Sequence, residues 1–154
     1  MRKYTFLLAS LWAGVVLGGS LIVAPAKFQV PSLTIPQLLE VGQAQFHWIG
    51  NAEILFAVLL TLPLLYPPIR AQFSVAVKGF LLLALTALIV QQGYLMPLLN
   101  VRTEATIAGE PLGPSHLHLV FVGIEILKIL ALIASCIFLK LEEESHATPR
   151  SKTS

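Results

Sequence analysis

From Leu117 to Leu139 the chain reads LHLVFVGIEILKILALIASCIFL, a run in which only His118, Glu125 and Lys128 are ionisable. At 1.5 Å per residue, about 20 mostly apolar residues cross the hydrocarbon core of a bilayer. This stretch therefore predicts a transmembrane helix. Three more runs meet the same test: Tyr4–Val23, Phe46–Tyr66 and Val75–Leu98. Prolines stand where their ends are expected. Pro25 follows the first, Pro67 and Pro68 follow the second, Pro97 closes the third, and Gly113, Pro114 and the capping Ser115 precede the fourth.

Composition agrees. The 154 residues are 56% hydrophobic and 12% charged, against about a quarter charged in a soluble domain. So short a chain cannot hide that much apolar surface inside itself, so lipid must cover the rest. A net charge of +2 with no basic stripe excludes a nucleic-acid partner. The single cysteine, Cys136, allows no intrachain disulfide and reads as a small buried hydrophobe.

The N-terminus has the outline of a secretory signal: Arg2 and Lys3, an apolar run, then Ala24-Pro25-Ala26. The run is longer than the 7–15 residues usual for a signal core. It also places Ser10, Gly14 and Gly18 on one stripe suited to close packing in lipid. A retained helix is the expectation.

Lys and Arg are distributed unevenly between the connections. Arg2, Lys3, Arg70, Lys78, Lys140, Arg150 and Lys152 fall on one side, Lys27 and Arg102 on the other. The positive-inside rule then puts both termini in the cytoplasm of a bacterial inner membrane. Residues 27–45, with a short interfacial helix at 35–45 capped by Thr34, and the loop 99–115 face outward. The fold expected is all-α: an antiparallel four-helix transmembrane bundle over residues 1–141, followed by a disordered cytoplasmic tail at 142–154.

Ionisable groups inside spans cost about 2.5–3.5 kcal/mol each at a helix centre, so they face a partner or a cavity. Here they are Glu53 on the second helix and Glu125 and Lys128 on the fourth, joined by the amides Gln91 and Gln92 on the third. The 1.5 Å rise places Glu53, Gln91 and Glu125 at similar depth, about 10–12 Å from the outer ends. The inner half is almost wholly apolar. His118 and Glu125 share a helical face, while Glu125 and Lys128 are i,i+3 neighbours able to pair. His47 lies about 120° from Glu53 and is the weaker member. Glu53, Gln91, His118, Glu125 and Lys128 are thus expected to line an outward-facing polar pocket, with Asn100 and Arg102 at its mouth.

Three readings of that layer stay open. It is polar glue between helices, a pocket for a small amphipathic ligand or cofactor such as a quinone or isoprenoid, or a metal site built from His118, Glu53 and Glu125. The last is weak, because a carboxylate di-iron bundle uses Glu-x-x-His and Lys128 stands where that histidine belongs. His116 and His118 diverge by about 160° on a helix. No phosphate-binding or nucleophile motif occurs, and all eight acids are Glu. Whether the chain turns a substrate over, and with what cofactor, is left undecided. Two other roles remain. One is an accessory subunit whose small-residue stripe docks a membrane partner or a second copy. The other is a metal or proton transporter, which with four helices and no repeat needs to oligomerise.

The run Gln91–Gln92–Gly93–Tyr94–Leu95–Met96–Pro97, then Arg102-x-Glu104, Gly109, Pro114–Ser115-x-x-His118 and Glu125-x-x-Lys128, resembles an uncharacterised family of small four-helix bacterial inner-membrane proteins. Ala26–Lys27–Phe28 and Pro31-x-x-Thr34–Ile35–Pro36 fit the same resemblance, which covers most of residues 10–135. In outline the chain is also similar to anthrone-oxygenase-like membrane proteins, with none of their catalytic motifs in place. The resemblance implies the fold and the segment boundaries and no mechanism.

Overall fold

The computed structural model describes residues 1–147. Within them the chain is helical, with four helices long and apolar enough to cross a membrane. They are α1 (Arg2–Gln29), α2 (Ile35–Leu64), α3 (Val75–Ile107) and α4 (Leu117–Ala147). The helix starts follow local chemistry. Gln37 Oε1 accepts from the Thr34 backbone N–H at 2.9 Å, and Pro36 sits in the first turn where no N–H is needed. Ser74 Oγ caps α3 by accepting from the Val77 N–H at 3.2 Å. The Ser115 hydroxyl accepts from the Leu117 N–H at the start of α4.

All four helices run further than their apolar segments predict. The stretch expected as a separate interfacial helix at 35–45 is the first part of α2. α3 passes through Pro97 and continues to Ile107, where the sequence predicts a loop from residue 99. The reason is a π-helical turn at Gln91–Leu95 directly before the proline. Its wider ring of atoms accommodates a residue with no N–H to donate. α1 repeats the device: a π-helical turn at Leu17–Val23 precedes Pro25, and the helix ends only at Gln29. At its far end α4 extends over Glu142–Ala147, part of the segment expected to be disordered. Residues 148–154 of that tail lie outside the described residues.

α4 packs along α3 and α1, and α1 also packs on α2. Leu8, Trp12, Val16, Val77, Leu81 and Leu132 form the centre of the apolar core. Small side chains let the helices approach. Ala9 and Ala57 are buried in that core, and Ser10 Oγ lies 3.4 Å from Cys136 Sγ where α1 meets α4. The expected Ser10–Gly14–Gly18 stripe is only partly used within the chain, since nothing lies within 4 Å of a Cβ built at Gly14 or Gly18. The close approach falls instead at Gly19, against Ile49. Large apolar side chains also cover the outside, among them Leu55, Leu62, Leu82, Ile89, Leu119 and Leu130.

Arg2 ties one end of the molecule together. Its guanidinium donates to the Gln72 carbonyl at 2.7 and 3.1 Å and pairs with Glu142 at 3.2 Å. The start of α1, the α2–α3 connection and the last part of α4 therefore meet at this end.

Candidate functional site

At the centre of the molecule all four helices contribute to one polar network. α1 brings Trp12, α2 Glu53, α3 Gln91, and α4 both Glu125 and Lys128. Each of these side chains is at most 2% exposed. Lys128 is the hub. Its Nζ lies 2.5 Å from Glu53 Oε2, 2.7 Å from Glu125 Oε2 and 2.7 Å from Gln91 Oε1. An ammonium has three N–H donors, and here each has an acceptor.

The surrounding groups complete the pattern. Trp12 Nε1–H donates to Glu53 Oε2 at 2.9 Å. Gln91 Nε2 donates to Glu125 Oε2 at 2.7 Å and to the Phe121 carbonyl at 3.2 Å. Gln91 opens the π-helical turn of α3, so the irregular backbone that admits Pro97 also lies at the residue bridging α3 to α4. One atom is left over. Glu125 Oε1 is buried and has no hydrogen-bond partner.

Glu125 also belongs to the lining of a cavity of about 370 Å³. Its polar lining includes Ser20, Lys27, Asn100, His118 and Glu125, and its apolar walls include Phe28, Phe46, Met96, Leu99 and Phe121. The volume lies at the small end of ligand pockets, and mostly apolar walls with a few convergent polar groups are typical of them. Ser20 Oγ, a second cavity group, is likewise buried without a partner. Phe46 and Phe121 meet edge to face at 5.7 Å along one wall.

The expected site residues fall into two connected sets. Glu53, Gln91, Glu125 and Lys128 form the network. His118 and Asn100 line the cavity, with His118 exposed at its rim. Glu125 belongs to both sets. Arg102 is placed elsewhere: its guanidinium donates to the Gly113 carbonyl at 2.6 Å and braces the α3–α4 loop. His47 is exposed and hydrogen-bonded to Asn51 at 3.1 Å, away from the cavity. Among the described residues no group of three His, Cys, Asp or Glu side chains is disposed to hold a metal. Glu53 and Glu125 each commit an oxygen to Lys128.

Two participants, Trp12 and Lys27, are new. A tryptophan in the middle of a long apolar helix needs a partner for its N–H once its ring is buried. That is the available signal for Trp12. Lys27 reads in the sequence as one more surface charge.

Trp12→Phe keeps most of the ring and removes one hydrogen bond to a carboxylate, worth about 1.5–3 kcal/mol. The variant is expected to fold and to melt at lower temperature in detergent. An unchanged melting curve would show that this bond does not hold α1 to α2.

No protein-family model matches the chain, and no curated protein and no solved structure is significantly similar to it.

Proposed function

We propose that this chain is an integral protein of a bacterial inner membrane, an antiparallel four-helix bundle that binds a small amphipathic ligand in the cavity beside Glu125. A quinone, an isoprenoid or a similar molecule is the class in view. Four long apolar helices with Leu and Ile on their outer faces support the membrane setting. The meeting of Arg2, Gln72 and Glu142 at one end supports alternating helix directions. The excess of Lys and Arg at that end supports cytoplasmic termini and a cavity that opens outward.

The observation that carries the ligand reading is that Glu125, whose Oε1 is buried without a partner, is part of the lining of a largely apolar cavity. A buried polar atom without a partner is costly. A ligand hydroxyl donating to it removes that cost. Glu125→Gln provides the test. Lys128 and Gln91 both donate toward position 125, so the Gln carbonyl takes the place of Oε2 and its amide N–H₂ replaces Oε1. The unpartnered acceptor becomes a donor while the network keeps Glu53 and Lys128 as a neutral pair. Retention of 1-dodecanol, measured by native mass spectrometry from phosphatidylcholine nanodiscs, is expected to fall about tenfold or more. Equal retention by both proteins would refute the reading.

A second reading has its own observation. Lys128 is fully satisfied by groups from α2, α3 and α4, as a clasp between helices requires. A clasp alone predicts no ligand retention by the wild type.

A further inference from the structure

The cavity has two unlike ends. At the inner end stand Glu125 and Ser20. Toward the other end stands Lys27, whose behaviour the network does not explain. A lysine near the end of a membrane helix ordinarily extends its ammonium into water. Lys27 is instead folded back and half-buried, with Nζ 5.5 Å from the Phe28 ring centroid and 5.6 Å from that of Phe46. Its tip occupies the space beside α2 that a side chain at position 42 would fill, which the buried Gly42 leaves free. Among the described residues no carboxylate pairs with it. Two aromatic faces hold the cation in place, and no protein anion neutralises it.

The other titratable groups on the cavity are His118 at the rim and Glu125 at the inner end. Glu125 is compensated through Oε2 by Lys128, and α2 rises about 16 Å between Gly42, beside Lys27, and Glu53, in the network. An anion at the Lys27 end is therefore well removed from Glu53. Apolar walls formed by Leu21, Ala24, Leu39 and Leu99 separate the two ends.

We propose that the cavity takes an anionic amphiphile, its phosphate or carboxylate head group seated against Lys27 and its apolar body lying along Leu21, Ala24, Leu39 and Leu99. This rests on the cavity being a ligand site and names the ligand's class. Asn100, Thr103 and Gln43, all on the lining, add donors for the head group's remaining oxygens. One charge-assisted hydrogen bond from the ammonium to a phosphate oxygen corresponds to at least about tenfold in affinity.

The test compares dodecyl phosphate with 1-dodecanol on the full chain in phosphatidylcholine nanodiscs, by native mass spectrometry titration. Dodecyl phosphate is expected to bind the wild type about tenfold or more tightly than the alcohol. Lys27→Gln should remove that preference, and Lys27→Arg should retain most of it. Gly42→Val keeps the charge but fills the space the ammonium occupies, and should act like Lys27→Gln. Equal binding of the two probes, or a preference that survives Lys27→Gln, overturns the anion assignment and leaves the cavity reading standing. Binding of neither probe overturns both. Millimolar inorganic phosphate distinguishes two sources of the same chemistry. Competition with dodecyl phosphate identifies a site that also takes free phosphate, and its absence identifies one that needs the attached chain; the anion assignment is upheld in either case.

Discussion

Lys128→Met is expected to be the most damaging single substitution in the polar layer, at a cost of about 3–5 kcal/mol. The methionine fills the lysine's volume with little strain. What it removes is, among the described residues, the one cation paired with two buried carboxylates, whose Oε2 atoms lie 2.5 and 2.7 Å from Nζ. Low yield and a melting temperature far below the wild type should follow in detergent. Restoring neutrality should restore the fold. Lys128→Met combined with Glu53→Gln and Glu125→Gln is expected to recover most of the loss, because an uncharged layer carries no uncompensated ion. If Lys128→Met alone melts like the wild type, the two glutamates are not held by this lysine.

Gln91 has the second largest expected effect, and its isosteric variant is the informative one. The amide accepts from Lys128 and donates to Glu125 Oε2 and the Phe121 carbonyl. Gln91→Leu leaves one ammonium N–H and one carboxylate lone pair without partners, at about 3 kcal/mol. Gln91→Glu has the same shape and can still accept from Lys128. It has no N–H₂, however, and it sets a third acidic group around a single ammonium. It should destabilise as much as Gln91→Leu, whereas packing alone would make it nearly silent. Melting curves of the two variants side by side decide the point.

Most of this layer is legible in the sequence because a bilayer makes polar residues expensive. Glu53, Gln91, Glu125 and Lys128 stand out against long apolar runs, and helix geometry brings them to a common depth. Their mutual hydrogen bonds are not readable there, since side-chain direction around each helix depends on packing. Trp12 escapes notice because its ring counts as apolar while its N–H is the part the network uses. Helix ends differ from expectation where a proline reads as a stop. Pro25 and Pro97 each follow a π-helical turn, a backbone adjustment with no clear residue signature. Position along the chain puts Arg102 at a pocket mouth, but once α3 continues past it, its guanidinium reaches the Gly113 carbonyl instead. Lys27 is invisible as a site residue because its role depends on Phe46 and Gly42 of a different helix.

The central claim is that the cavity beside Glu125 holds a small amphipathic molecule. Native mass spectrometry of the chain released from gently extracted membranes tests it most directly. The account predicts a discrete adduct of a few hundred daltons, of a size set by the cavity of about 370 Å³, that is lost from Glu125→Gln prepared in the same way. A wild-type protein that appears only at its bare mass, or an adduct equally abundant in Glu125→Gln, would contradict it and leave the buried network as a clasp between helices.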